Sequence, residues 1–421
     1  MASAQAWTHH AWGTWLSLQV LPDVRAEAAV RAEPLEKFLI EQGPVLETIL
    51  QQEEQWARAK VRNYPARPEI LAYRFDPQAS PAELRRRFLM ALRVNPHVPL
   101  PLAVQQMPWA NPSNPTKRVA LSAQEVSLKP SETGPARQYL ALQEGEAVSV
   151  LEVLATASDE PDDGLDTGLW LDSGTEHGKL YGFGRQPWGY GAHQDFGEAP
   201  FHMGFFHESA ATYASSTGLR RALPEYRMHL WQTLARHALV NGHPYWGWRF
   251  AGWAMHYAQD MTQPYHVRWL PSSGTVGVLW MNLLDFAGMS AARAQALQRA
   301  SVRHAWFEQY QQQSLLTPLQ KGEWEHPNLK PFGLVLQDAG RMALPERGLR
   351  EQVAWQAYGR AEALDEAVQA AMPARALGEG EGKAVTDPVP RTPALDALDI
   401  MLRDISQHFG NVTRAVWRRL Q

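Results

Sequence analysis

Cysteine is absent from the 421 residues. The chain therefore has no disulfide framework and no thiolate for a metal, so any ion must be held by histidine and carboxylates. Absence of cysteine also suits an oxidising exterior or periplasm. A surplus of positive charge is missing as well. The formal net charge is −4, which gives no basic footprint for gripping duplex nucleic acid through its phosphates. No apolar run approaches the ~20 residues of a membrane span; Val276 to Phe286 is the greasiest and is too short. There is no Ser-His-Asp elbow, no Walker A loop and no dinucleotide glycine fingerprint, since Gly182-x-Gly184 is only loop glycine.

What is present fits a globular chain, with 45% hydrophobic and 20% charged residues, enough to bury one large core or two smaller ones. The 17 tryptophans are unusual. Many belong in the core, but Trp188, Trp246, Trp248, Trp253 and Trp269 are candidates for lining a pocket or touching a lipid interface.

The patterning predicts a mainly α protein: one multi-helix domain over 1–421 with irregular insertions. Helices are expected at 7–21, 26–61 (broken at Gly43-Pro44), 80–94, 137–157, 208–218, 224–241, 244–262, 290–314 and 347–372. Ser80-Pro81-Ala-Glu83 reads as a capping box with proline at the first helical position. Residues 62–136, with their Pro- and Asn-rich stretch, read as an insertion suited to a lid, a partner surface or substrate selection. A Gly- and Trp-rich inserted loop is expected at 164–198, and a linker at 374–391. Beyond the linker, Leu395, Leu398, Met401, Ile405 and Phe409 share one face of a last helix expected to pack on the core.

The chemistry concentrates in His256-Tyr-Ala-Gln-Asp260-Met-Thr-Gln-Pro-Tyr-His266 and in His304-Ala-Trp-Phe-Glu308. Positions four apart lie on one helix face, so His256 and Asp260 can address one ion, as can His304 and Glu308. Pro264 ends the first helix and sets His266 on a turn beyond it. Gln259 sits one position off the ligand face, and its replacement is expected to be neutral. The helix is unusually apolar, with Trp246, Trp248, Phe250, Trp253, Ala254 and Met255 before His256. Burying His and Asp there costs several kcal/mol unless they are paired or metal-bound. A purely structural His–Asp pair is the competing reading.

The stretch from Phe250 to His266 closely resembles the central metal motif of the zinc-dependent bacterial phospholipases C, whose relatives, the fungal single-strand-specific nucleases, share it in looser form. The resemblance implies an all-helical fold holding two to three Zn²⁺ ions. It implies that His256 and Asp260 bind one ion, that Asp260 bridges to another, and that His266, His304 and Glu308 bind the third. It also implies an N-terminal tryptophan ligand, here Trp7, followed by a histidine, for which His10 is preferred over His9. Ala4-Gln5-Ala6 is a small-x-small cleavage signature directly before Trp7, although the apolar segment that should precede it is absent. Ala157-Ser-Asp159-Glu-Pro161-Asp162 resembles the family's aspartate segment and points to Asp162 as ligand and general base, with Asp159 as the other candidate. An acidic solvated or Ca²⁺-binding loop is the alternative there. The matching histidine is His202, with His207 and His193 as alternatives, and it lies much farther from Asp162 than in that family.

The expectation is therefore a secreted or periplasmic zinc phosphodiesterase of phospholipase C type, acting on phospholipid or another phosphodiester with transient membrane-surface contact. A single-strand nuclease or nucleotidase shares the same chemistry. A non-catalytic, metal-stabilised helical binding protein is the reading from a different class.

Overall fold

The computed structural model describes residues 9–109, 118–130, 137–187, 197–274, 277, 280, 291–335, 348–373 and 391–421. It is mainly helical. The longer helices are α1 (His10–Leu18), α2 (Leu35–Lys60), α3 (Pro81–Ala91), α4 (Val150–Asp159), α5 (Pro224–Val240), α6 (Pro244–Asp260), α7 (Ala291–Lys321), α8 (Trp355–Ala371) and α9 (Pro393–Leu420). Among the described residues the strands form two small antiparallel pairs, β1 (Val30–Arg31) with β4 (Ala147–Val148) and β2 (Ala103–Gln106) with β3 (Gln138–Ala141).

Helix α6 is the axle of the fold. Every residue from Tyr245 to Asp260 is buried, so the helix has no solvent face, as its all-round apolar sequence requires. Helices α4, α5 and α9 pack around it, and α1 lies across α4 and α9. Glycine allows two of these crossings. A side-chain carbon on Gly252 would stand 2.5 Å from the Cβ of Ala157, and one on Gly13 would stand 2.6 Å from the Phe409 ring. These approaches bring α4 to the turn of α6 before His256, and α9 to the turn of α1 after His10.

Several expectations are corrected. Helix α2 runs through Gly43-Pro44 without interruption. Pro44 is on the exposed face, where water can serve the carbonyl that proline leaves without a donor. Residues 138–148 form two short strands with a turn at Gly145 between them, not the start of a helix. The burial there alternates at Arg137, Gln138 and Tyr139, which is the period of a strand. Helix α4 begins only at Val150, capped reciprocally by Ser149 and Glu152. Trp246, Trp248 and Trp253 are core residues, at most 5% exposed, and Trp269 is half-buried. The exposed tryptophans among the described residues are Trp280, Trp324 and Trp355.

Other expectations hold. Ser80 caps α3 by accepting the Glu83 N–H, one half of the expected box, while the Glu83 carboxylate turns to Arg86 and Arg87, and Leu395, Leu398, Ile405 and Phe409 of α9 are buried. Phe88, Leu92 and Val94, from the stretch expected to be an insertion, belong to the main core.

Candidate metal centre

Asp260, the last residue of α6, is fully buried and surrounded by imidazoles. Its Oδ1 lies 3.5 Å from His10 Nε2 and 3.4 Å from His266 Nδ1. Its Oδ2 lies 3.0 Å from His202 Nδ1 and 3.3 Å from His256 Nε2. Asp162 Oδ1 stands 3.6 Å from His256 Nε2 and 3.9 Å from His202 Nδ1.

The cluster continues through His266. Its Nε2 is 3.7 Å from Glu308 Oε1, which is 2.8 Å from His304 Nε2. Three groups can each hold a metal ion: His10–Asp162–His256, His202–His256–Asp260 and His266–His304–Glu308.

Local structure explains how each side chain arrives. His10 opens α1, and the Ala11 N–H at that helix start donates to Asp159 Oδ1 at 3.2 Å. Asp159 is thus engaged at the end of α1, whose free N–H groups favour a carboxylate, while Asp162, on the following turn, reaches the histidines. His256 Nδ1 faces the Ser158 carbonyl at 2.8 Å. A carbonyl only accepts, so Nδ1 carries a proton, and in the neutral ring Nε2 keeps its lone pair facing inward. His10 Nδ1 meets Gln259 Oε1 at 2.8 Å, and Gln259 Nε2 donates to the hydroxyls of Thr14 and Thr413. His10 likewise presents Nε2. His266 lies within the short helix Pro264–Val267, and the His304 ring stacks on Tyr265 at 5.1 Å.

Burial and charge oppose each other throughout. Burial would raise the Asp260 carboxyl, yet His256, with His10 and His202, holds it well below the ordinary carboxylate range. Burial would lower His266, but Asp260 and Glu308 hold it up at about 9. Burial pushes Asp162 up to about 6. Asp162 has the most exposed side chain of the eight, at 14%.

The residues fit divalent ions. His10 Nε2, Asp260 Oδ1 and both ring nitrogens of His266 are buried and make no hydrogen bond. Each such atom costs about 1–3 kcal/mol if left so. Imidazole nitrogen with carboxylate oxygen is a donor set that suits borderline ions.

The structure thus brings together His10, Asp162, His202, His256, Asp260, His266, His304 and Glu308. His9 instead stacks on Trp12 at 3.8 Å, and His207 Nε2 donates to the Arg350 carbonyl at 2.8 Å. Trp7 and His193 lie outside the described residues, as do Trp188 and residues 374–390 of the expected linker.

The acidic run is not a solvated loop. Glu160 pairs with Arg249 at 2.7 Å, Asp163 with Arg137 at 3.2 Å, and Asp166 with Arg227 at 2.6 Å. Sequence reasoning missed the groups behind the ligands, Ser158, Gln259, Asp166 and Arg227. Gln259 had a usable signal, because an amide on a helix without a solvent face must find partners.

No family model, no curated protein and no solved structure matches the chain.

Proposed function

We propose that this chain is a zinc-dependent phosphodiesterase, of phospholipase C type. The observation that carries the reading is the convergence on Asp260. One buried carboxylate has histidines from four separate segments within 3.5 Å of its two oxygens, and such a carboxylate suits two ions at once. Its neighbours' inward-facing nitrogen atoms lack other partners at His10 and His266, which a closed pair of structural hydrogen bonds would not leave.

His10, Asp162, His202, His256 and Asp260 would hold a pair of ions, and His266, His304 and Glu308 a third. When bound, zinc supplies Lewis acidity to a phosphoryl oxygen and brings the pKa of water towards neutrality. The protein's own part is orientation and proton handling. Ser158 and Gln259 fix the tautomers of His256 and His10. The Asp162 carboxylate, which retains some exposure, would accept a proton from an attacking water at the edge of the cluster. Phospholipid as the substrate class rests on the resemblance of the stretch from Phe250 to His266.

The test is a parallel assay of zinc-loaded protein on phosphatidylcholine vesicles, single-stranded DNA and bis(4-nitrophenyl) phosphate. Turnover of the lipid and the aryl diester, abolished by chelator and restored by zinc, is expected. Cleavage of single-stranded DNA without lipid turnover would move the assignment to the nucleases. Full zinc loading with no turnover of any substrate would favour a binding protein.

A further inference from the structure

We infer that Asp166 is the positioning residue for His202, and that Arg227 and Tyr257 hold it in that role. This inference rests on the metal-centre reading above. His10 and His256 both present Nε2 to the cluster, but His202 is turned the other way. Its Nδ1 faces Asp260 at 3.0 Å and His256 at 2.9 Å, while its Nε2, buried and making no hydrogen bond, stands 3.3 Å from Asp166 Oδ2. Both ring nitrogens of His202 face carboxylates, and a carboxylate only accepts. With an ion held at Nδ1, as the metal-centre reading has it, the ring proton would sit on Nε2, facing Asp166.

Asp166 is a fully buried carboxylate beside a buried guanidinium, an arrangement that costs desolvation on both sides unless the geometry is complete. Here it is complete. Oδ1 accepts from Arg227 Nε at 3.0 Å and Nη2 at 2.6 Å, and Oδ2 accepts from the Tyr257 hydroxyl at 2.7 Å. Arg227 also donates from Nη1 to the Leu92 carbonyl at 2.9 Å and from Nη2 to the Arg93 carbonyl at 2.8 Å. Those carbonyls lie just past the end of α3, where a helix leaves acceptors unserved and favours a cation.

A path of fixed contacts thus runs from the end of α3, through Arg227 and Asp166, to the back of His202. The stretch that reads from sequence as a lid or selectivity insertion contributes, at Leu92 and Arg93, to holding a ligand in place. Of the acceptors behind the three imidazoles, only Asp166 carries charge; Ser158 offers a carbonyl and Gln259 an amide. A charged acceptor strengthens imidazole as a donor to metal, and losing such a partner typically lowers metal affinity ~10–100-fold.

The experiment strips the full-length protein with chelator and titrates zinc against a chromophoric competitor. It compares wild type with Asp166→Asn and Tyr257→Phe, and records the visible spectra of the cobalt-loaded forms. Asp166→Asn keeps the shape and removes the charge. It should weaken zinc at the Asp260 centre ~10–100-fold and alter the cobalt bands, leaving the affinity of the His266–His304–Glu308 group unchanged. Tyr257→Phe removes one donor to Oδ2 and should weaken the same centre by a smaller factor. If Asp166→Asn matches wild type in zinc affinity and cobalt spectrum and only melts earlier, the assignment is overturned and the pair is a structural tether. Should Asp166→Asn not fold, unchanged affinity in Tyr257→Phe overturns it equally. A wild type that takes up neither metal overturns the metal reading and this assignment together.

Discussion

Around Asp260, the imidazoles of His10, His202 and His256 have their outer nitrogens set against Gln259, Asp166 and Ser158, groups brought from distant parts of the chain. Around Glu308 the arrangement is different. His304 and Glu308 lie four residues apart on α7, His304 is stacked on Tyr265, and both ring nitrogens of His266 lack hydrogen-bond partners. One end of the cluster is specified by long-range contacts behind the ligands, the other by helical spacing and ring stacking. The first kind would orient the rings ahead of any ion. The second leaves more of the ordering to the ion itself, so it should respond more strongly to metal supply.

The largest effect that would break this contrast is at the carboxylate common to both ends. Asp260→Ala should lose about two ions of zinc, as expected of a bridging ligand, and abolish hydrolysis; elemental analysis of the purified variant checks this. Retention of full zinc would reduce His256–Asp260 to a buried structural pair. Next comes Glu308→Ala, which should lose a single ion and leave the Asp260 centre loaded. Loss of all metal from this variant would show that the two ends do not fill independently.

Gln259→Ala sharpens the comparison further. The expectation from sequence was neutrality, because Gln259 sits off the ligand face. Its contacts with His10, Thr14 and Thr413 revise that. The variant should weaken zinc at the Asp260 centre ~10-fold or more, measured by competition with a chelator, with little change at Glu308.

The smallest effect serves as a metal-independent reference. His408 of α9 is buried with neither ring nitrogen bonded, and burial pushes it down to about 3. Its folded pKa lies below the ordinary value of 6.5, so protons favour the unfolded chain. The stability that depends on neutral His408 is intact above pH 6.5 and is lost as pH falls from there towards 3. Thermal melts in chelator should show this acid loss, and His408→Leu should flatten it. An unchanged pH profile would place the acid sensitivity elsewhere.

The same contrast explains what could be read from the sequence. The Glu308 end was legible, because His304 and Glu308 obey a local period of four and follow the Pro264 stop. His256 and Asp260 were legible for the same reason. Asp162 and Asp159 were not separable in sequence, since both lie in one acidic run; in the fold the Ala11 N–H engages Asp159 while Asp162 stands beside His256 and His202. Asp166 could not be found by spacing, because its partners Arg227 and His202 belong to other segments. The strands at 138–141 and 147–148 were missed because so short an alternation carries little periodic signal, and their pairing with residues 103–106 and 30–31 is non-local.

The crossing of α1 and α9 has a consequence for the order of assembly. His10 stands near the start of the chain, yet its support comes from near the other end. Gly13 accepts the Phe409 ring, and Thr413 accepts from the Gln259 amide that holds His10. During synthesis these contacts can form only after α9 has left the ribosome, so closing them spans nearly the whole sequence, a slow class of event. The Glu308 end leans on the same helix, since the Tyr310 hydroxyl of α7 donates to Asp399 at 2.6 Å, so nascent chains halted before residue 393 should leave both ends of the cluster loose.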